Sequence, residues 1–510
     1  SEASDALSGP YEVVYGPQPN LPQEYTGGGG VSGTTGYDAA GLLHVADAVP
    51  VVVSAGSNIE YLKFYIPKEA DITAGGNIDI YYYGHNNSYT PNKGATYSSN
   101  EVTVIKAAGS IGFGSWQSAD GGDSGILVGG PGTVVLEAGR SIDLGTSAGI
   151  EIQANSADPS QPTTASALII ASGYSGNFYN LKNGSTKTDS DFFKSLGQLG
   201  TEYSMDLAAG DTAEAQQVVA DINTSIIAPF DRVAVPVASG TGDIDMTFSK
   251  IAAVSYTPGM FIFAHGSLNV GQTTLGSAGQ GTDTGIYTGY GGGINIFANK
   301  DVNVNESRVM TCLGGDITVW STSGNINAGK GAKTAVTTSA PTWNCVGGTD
   351  SQGNCLGYYV EIFSPPTVGS GIRAVTYSPG LGESMPLAGN IYMFAPEGDI
   401  NAGEAGIAGR NVILGAVQVL NAQNIVFSAG SVGVPVASQG ISGLSALSGV
   451  GSVTQAMQVQ EAAIASAAGT KLAQAVSAAS EAFAAASLEV RVLSIFDADP
   501  SDGSWERTDN

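Results

Sequence analysis

The sequence predicts an all-β protein folded as a right-handed parallel β-helix, a solenoid in which short strands wind round a narrow core. The first observation is a repeated phrase. GGDITVWSTSGNINAG (314–329) and AGNIYMFAPEGDINAG (388–403) share the unit Gly-x-hydrophobic-x-hydrophobic, with Asp or Asn often following the glycine. Alternation at a period of two is typical of strands with one buried face. The second observation is composition, because glycine fills 72 of 510 positions and can supply the corners between strands.

The same unit recurs along most of the chain. Related phrases are AGGNIDIYYYG (74–84), SGTGDIDMTF (239–248), GGGINIFANKDVNVNE (291–306) and AQNIVFSAG (422–430). At about 22 residues and ~4.8 Å per coil, roughly 400 repeat residues would form about 18 coils and a rod of about 85 Å. An antiparallel sandwich is the structural alternative, but the irregular spacing of Asn-Gly and Asp-Gly pairs does not provide its hairpin turns.

Composition shifts divide the chain into six segments. They are a β-helix with an N-terminal extension (1–173), a partly helical insertion (174–233), a second β-helical stretch (234–330), an insertion with a cysteine loop (331–373), a third β-helical stretch (374–450) and an Ala-rich helix with a final strand and polar tail (451–510). In the first insertion, Asp211 can cap a helix with Glu214 three positions on, and Pro229 is expected to end it. The Ala-rich helix is expected to lie on the rod or cover its last coil, with an intermolecular coiled coil as the alternative.

Charge and hydropathy exclude several classes of partner. The chain has 19 basic and 45 acidic residues, a net charge of −26, and so lacks the Lys/Arg surface that nucleic-acid phosphates require. Attraction to anionic lipid is disfavoured for the same reason. No run of 18 apolar residues is long enough to span a bilayer. We therefore expect neither nucleic-acid binding nor membrane insertion.

Cysteine spacing points to one candidate disulfide. Cys345 and Cys355 lie ten residues apart in a Gly/Asn/Asp-rich stretch that can turn back on itself, which would suit an oxidising, extracellular setting. Two unpaired thiols in a surface loop are the alternative. The three histidines are scattered and show no zinc-ligand spacing. We expect no cofactor, although calcium at some turns stays open because many carboxylates on one rod repel each other.

Acidic residues in the repeat raise the alternative of an enzyme. Asp243, Asp245, Asp316 and Asp399 occur in Gly-Asp-Ile turns, where each side chain can bond its own backbone. A β-helical polysaccharide lyase or hydrolase would instead need paired carboxylates on neighbouring coils with a basic residue nearby. No such basic partner clusters with them in the sequence, and we assign no catalytic, cofactor or metal residue.

Aromatic residues mark candidate binding surfaces. Tyr81, Tyr82 and Tyr83 form the densest patch, with Tyr81 and Tyr83 expected on one face of a strand. Trp116 and Trp343 are further candidates for stacking on sugars or contacting proteins. Ordinary aromatic stacking between coils is the alternative interpretation of all five.

Longer phrases resemble a known family. GILVGGPGTVVLEAGRSIDLGTSAGI (125–150) and the Ala-rich helix followed by LEVRVL (488–493) resemble the C-terminal region of filamentous-haemagglutinin-type exoproteins, the adhesins of bacterial two-partner secretion. The resemblance covers roughly residues 10–496. It implies an extracellular, secreted or cell-surface β-helical fibre that is exported through a partner pore of the outer membrane. The family's N-terminal secretion module and the terminal cysteine pair of some members are absent from this sequence.

Two functional hypotheses follow from the residues and the resemblance. The first is a non-enzymatic adhesive fibre segment for surface attachment, aggregation or biofilm, which would bind a host-surface or matrix glycan or protein. Self-association end to end is a further hypothesis, with YEVVY (11–15) as the joining strand. The second is the β-helical polysaccharide lyase or hydrolase acting on acidic glycans.

Overall fold

The structure analysed is a computed structural model. It describes residues 12–14, 50–66, 69–86, 99–114, 125–154, 164–176, 185–237, 242–271, 284–330, 342–346, 358–362, 370–376 and 386–435. All of them lie in Ser1–Ala437, the first of the two units into which the chain divides. The predicted Ala-rich helix, final strand and polar tail therefore lie outside the described residues.

The main body is a parallel β-helix, as the sequence predicts. Twenty-six strands form one sheet that nearly closes round an axis, and every described pairing within it is parallel. Each coil consists of three strands, which lie on three faces that we name A, B and C in chain order. Each strand pairs with the strand of the same face one coil earlier and one coil later.

Face A contains β2 (Val51–Ala55), β4 (Ala70–Ala74), β6 (Val102–Ala107), β9 (Thr133–Ala138), β12 (Ala167–Ser172), β17 (Met260–Ala264), β20 (Ile294–Ala298), β23 (Ile317–Ser321) and the first part of β28 (Ile391–Asn401). Face B contains β7 (Ile111–Phe113), β10 (Ile142–Gly145), β15 (Ile244–Met246), β18 (Leu268–Val270), β21 (Val302–Asn303), β24 (Ile326–Asn327) and the last part of β28.

Face C contains β1 (Glu12–Val14), β8 (Gly125–Gly129), β11 (Gly149–Gln153), β16 (Lys250–Ala253), β19 (Gly285–Thr288), β22 (Arg308–Thr311) and β27 (Gly371–Ala374). Four long strands turn a corner from one face to the next. β3 (Ile59–Ile66) and β5 (Ile78–Asn86) pass from face B to face C. β29 (Ile407–Leu420) passes through faces C, A and B, and β30 (Ile425–Val432) passes from face C to face A.

The described strands make fewer coils than the sequence predicts. Face A strands begin at residues 51, 70, 102, 133, 167, 260, 294, 317, 391 and 412. Ten coils at ~4.8 Å give a rod of about 48 Å. The described residues hold fewer coils than the expected 18 because the insertions and long corners take up chain between consecutive coils.

Inward side chains stack in columns along the axis and form the core. One column on face A runs through buried residues of consecutive coils: Ile105, Leu136, Ile170, Ile262, Ile296, Val319, Met393 and Leu414. Each side chain is therefore packed against similar residues above and below it. This stacking is the physical reason why the sequence repeats β-branched and aliphatic residues at alternate positions.

The first insertion leaves the rod between β12 and β15 and contains the helices. These are α1 (Ser185–Ala209), α2 (Thr212–Ile222) and α3 (Ala228–Val233), with a π-helical turn (Asn223–Ile227) joining α2 to α3. The backbone N–H of Glu214 donates to the Asp211 carboxylate at 3.3 Å, which is the expected cap. The helical run continues through Pro229 to Val233, contrary to expectation, because that proline falls in the first turn of α3 where a missing N–H is tolerated.

Two antiparallel strand pairs and one 3-10 turn complete the described structure. The stem of the helical insertion is β13 (Tyr174–Gly176) paired with β14 (Ala234–Pro236). The insertion with the cysteine loop contains β25 (Thr342–Val346) paired with β26 (Tyr358–Ile362), and the rod resumes at Gly371. The 3-10 turn is Ala422–Asn424.

Candidate functional site

The outer side of face A carries a column of aromatic side chains. The column consists of the fourth residue from each of four consecutive face A strands, namely Phe263, Phe297, Trp320 and Phe394. All four are fully buried, although outward side chains of a solenoid ordinarily face solvent. The ring centroids of Trp320 and Phe394 lie 5.9 Å apart. An additional layer of the protein must therefore cover this side of the rod.

The helical insertion is that layer. Phe192 and Phe193 of α1 and Phe230 of α3 project onto the aromatic column. The ring of Phe230 stacks on Phe263 at 5.0 Å, and Phe193 approaches the same ring at 5.3 Å. Phe192 meets Phe297 edge-on at 5.5 Å. Contacts of this kind contribute about 0.5–1.5 kcal/mol beyond the area that they bury.

Two glycines allow α1 to approach the strands closely. A Cβ on Gly200 would lie 2.6 Å from the ring of Phe394, and a Cβ on Gly415 would lie 2.6 Å from the ring of Tyr203. Gly415 continues the aromatic column by one coil, so α1 covers five coils from β17 to β29. The eleven residue steps from Phe192 to Tyr203 rise about 17 Å in an α-helix, close to the ~19 Å between the first and fifth coils.

A buried ion pair anchors the stem of the insertion. Lys106 and Glu137 stand in the same column as the aromatic residues, several coils earlier, and their Nζ and Oε1 atoms lie 2.6 Å apart. The backbone N–H of Gly176 donates to Glu137 Oε1 at 3.0 Å, and Lys106 Nζ donates to the Gly176 carbonyl at 2.6 Å. Burial raises the pKa of the Glu137 carboxyl, and the Lys106 ammonium partly opposes that change. The stem is thus fixed to two strands by charge as well as by backbone pairing.

A smaller polar cluster lies at the same stem, around Tyr174 of β13. The buried Tyr174 ring contacts His265 edge-on at 5.4 Å and Phe230 at 5.8 Å. Burial lowers the pKa of His265, while the nearby Asp231 carboxylate opposes that change. The stem of the helical layer therefore combines apolar packing with ionisable groups.

Face B has a different outer side, a ladder of amides that follows the rod axis. Asn269 Nδ2 donates to Asp245 Oδ1 at 2.8 Å, Asn303 Nδ2 to Asn269 Oδ1 at 3.0 Å, and Asn327 Nδ2 to Asn303 Oδ1 at 2.8 Å. Each of these residues is half-buried, and each lies directly above its partner. The ladder gives face B a polar surface in which every member bonds a neighbouring coil.

The aspartates singled out in the sequence also bridge coils. The expectation that they bond their own backbone is wrong for Asp243 and Asp316, which accept from the backbone N–H of Ser267 and Asn390 one coil later, both at 2.7 Å. Asp399 occupies the same kind of corner, where its backbone N–H donates to a side chain of the previous coil at 2.8 Å. The cause is geometric, since in a parallel solenoid the equivalent corner of the next coil lies ~4.8 Å away.

The tyrosine patch does not lie on one flat strand. β5 pairs with face B up to Ile80 and with face C from Tyr82, so Tyr81 lies at the corner between the two faces. Tyr81 is half-buried, and Tyr82 and Tyr83 lie in register with Gly125 and Ile126 of β8. The strand therefore passes from face B to face C at Tyr81, and a shared face for Tyr81 and Tyr83 stays a prediction. A binding role for these residues stays a prediction.

The remaining candidates fall in the second insertion or outside the described residues. Trp343 and Cys345 lie in β25, opposite β26. Trp116 and Cys355 lie outside the described residues, so the Cys345–Cys355 disulfide and the tryptophan surfaces stay predictions. Cys312 is a buried free cysteine, and burial raises the pKa of its thiol to about 12.

Among the residues that the structure describes, no group of three or more His, Cys, Asp and Glu side chains could hold a metal ion. Calcium at the corners stays a prediction. Burial raises the pKa of Asp245, a change that the Asn269 amide opposes and the neighbouring Asp243 and Asp143 reinforce.

One apolar groove lies near the last coils, on the outer side of face C. It has a volume of about 410 Å³ and is lined by residues that include Ala374, Pro386, Leu387, Ala408 and Val426. Leu387 and Val426 are both largely exposed. The described residues that line the groove are apolar or uncharged, so they provide contact area.

The helical layer and the aromatic column are the features that sequence reasoning missed. Their signal is present in the sequence, since MFIFA (260–264), INIFA (294–298), ITVWS (317–321) and IYMFA (391–395) all carry an aromatic residue at the fourth position. That position points away from the core. A repeated aromatic residue on the outward side indicates a second covering layer.

Comparison with known proteins gives one family. Residues 314–436 match a family described as "Filamentous haemagglutinin family outer membrane protein". No curated protein and no solved structure matches the chain. Among the described residues, no helix combines the length and apolarity needed to cross a membrane. The matched region includes the repeats at 314–329 and 388–403 but neither the 125–150 phrase nor the C-terminal ending. The resemblance to filamentous-haemagglutinin-type proteins is thus confirmed over residues 314–436, and with the parallel β-helix it fits an adhesin-type fibre segment.

Proposed function

We propose that this chain is a non-enzymatic, extracellular segment of an adhesive fibre, used in surface attachment, cell aggregation or biofilm formation. The observation that carries the proposal is the use of polar side chains between coils. The aspartates and asparagines at the corners and on face B bond neighbouring coils, so they hold a rod together. By the family resemblance, the chain would leave the cell through a partner pore in the outer membrane and reside on the cell surface or in the medium.

The same observation argues against the glycan-cleaving alternative. A lyase or hydrolase needs a pair of carboxylates free to exchange protons or bind a cation in a cleft. Asp243 and Asp316 each accept a backbone hydrogen bond, and Asp245 accepts one from an Asn side chain. These contacts assign the carboxylates to the scaffold.

Within this proposal, contacts with a surface come from the segments that leave the rod. The β25–β26 insertion carries Trp343 in its first strand, and the groove near Leu387 adds apolar area on face C. Aromatic residues supply much of the binding free energy at recognition surfaces. A host-surface or matrix glycan, or a protein, is the class of ligand that such a surface would bind.

The proposal is tested with the purified chain on a panel of host-surface and matrix glycans and proteins. We expect binding to at least one member, and a loss of about tenfold or more for Trp343→Ala, equivalent to about 1.4 kcal/mol. Tyr256→Ala, which changes an aromatic residue that is 52 % exposed, is the matched control and should bind as the parent does. Equal binding by both variants would exclude the insertion as the contact. Release of sugar ends from an acidic polysaccharide would overturn the proposal in favour of the enzyme.

A further inference from the structure

The described strands of the rod begin and end partway through a coil. The first strand, β1, lies on face C and pairs with the face C part of β3, one coil before β2 opens face A. At the other end, β30 completes face C of the tenth coil and then continues onto face A. Among the described residues, one end is therefore a lone face C strand and the other a lone face A strand.

These two partial coils complement each other. Among the described strands, β1 pairs only with β3, β2 only with β4, and β30 only with β29, so each has one edge without a described partner. An open strand edge is a template for another chain. From this geometry we propose that a second copy of this chain docks end to end, and that β30 of one copy and β1 of the next together form one shared coil.

The register of the columns supports this arrangement. If the strand registers continue across the junction, the backbone of Val13 and Val14 in the second copy follows that of Ile425 and Val426 on face C. On face A, Val52 of the second copy follows Val432 in the same outward column. Both faces then continue through the shared coil without a change of register.

The exposure of apolar residues at the two ends also supports docking of a second copy. Val52 and Val426 are each 58 % exposed, and both lie at the ends of outward columns. Core residues that are only partly buried also gather at the two ends, at Val51 and Val53 on one side and at Val419 and Phe427 on the other. Docking a second copy would bury this apolar surface, and each Å² buried would stabilise the contact by about 25 cal/mol.

The junction joins two different surfaces of the molecule, so it repeats without closing. Such a heterologous contact generates an open filament. Ten coils plus one shared coil predict an axial repeat of about 53 Å per copy. The inference deepens the proposed function, on which it rests for the extracellular fibre, by naming a second copy of this chain as the partner at each end.

Electron microscopy of the purified full chain in about 0.15 M salt tests the inference. We expect filaments with the ~4.8 Å spacing along the axis and a repeat near 53 Å per copy. Val13→Pro removes a backbone donor from β1, and Val52→Asp places a charge in the junction. Both should yield isolated rods, whereas Tyr256→Asp, at an exposed site midway along the rod, should leave the filaments unchanged.

Isolated rods of the parent chain would overturn the inference, and so would filaments that persist in both junction variants. Circular dichroism of each variant shows whether the rod itself still folds. The glycan and protein panel is repeated with Val13→Pro. If this variant forms single rods that still bind a member of the panel, adhesion does not depend on filament assembly, and the two proposals can be judged separately.

Discussion

Faces A and B are built from the same alternating strand phrase, yet their outer sides are stabilised by different forces. Face A carries Phe263, Phe297, Trp320 and Phe394 beneath a helical layer, and all four are buried. Face B carries an amide ladder open to solvent on one side. Burying one large apolar side chain contributes about 1.5–3 kcal/mol, whereas one hydrogen bond contributes about 0.5–1.5 kcal/mol.

The difference shows what each face can tolerate. On face A, each ring fills a space between a strand and α1, so a change of volume leaves a cavity or a clash. On face B, each amide can be replaced by another polar residue without changing the packing of the core. Stability should therefore depend strongly on residue identity on face A and weakly on face B.

The largest effect is expected for Trp320→Ala. The side chain is fully buried between its column neighbours, so truncation should lower the free energy of unfolding by about 3–5 kcal/mol. Urea unfolding followed by circular dichroism measures this change. Tyr256→Ala should shift stability by no more than about 0.5 kcal/mol, because the residue is exposed. A loss below about 1 kcal/mol for Trp320→Ala would show that the helical layer is not packed on the column.

A smaller effect is expected from the glycines of α1. Gly200→Ala places a methyl group 2.6 Å from the Phe394 ring, so we expect a net destabilisation of about 1–2 kcal/mol after the gain in helix propensity. Gly197→Ala is the matched control on the same helix, since nothing lies within 4 Å of its added Cβ. That variant should be stabilised by up to about 1 kcal/mol. Thermal unfolding of the two variants should shift in opposite directions, and shifts of the same sign would contradict the close approach.

The smallest effect is expected on face B. Asn303→Ala removes one donor to Asn269 and one acceptor for Asn327, and should cost about 1 kcal/mol because water can replace part of both contacts. A double-mutant cycle with Asn327→Ala isolates the coupling between the two amides. Zero coupling would show that the ladder contributes nothing. A loss as large as that of Trp320→Ala would remove the contrast between the two faces.

Much of the fold could be predicted from the sequence because the repeat is local. Alternation within phrases such as INIFA (294–298) identifies which side chains point inward, and the cap at Asp211 marks the start of a helix. What covers the outward side depends on residues more than 60 positions away, as in the contact of Phe193 with Phe263. The hydrogen-bond partners of Asp243 and Asp316 were missed for the same reason, since they lie on the next coil.

Because α1 lies along five coils, it also affects how the rod responds to force. Tension along the axis pulls coils apart, and in a β-helix the backbone hydrogen bonds between coils point along that axis. One helix additionally holds the coils from β17 to β29 together. Its Phe192 contacts Phe263 at one end of that interval, and its Tyr203 lies against Gly415 at the other. Among the described side chains of α1, the ring contacts begin at β17. We therefore expect the interval from β17 to β29 to form a stiff element within a fibre of such rods.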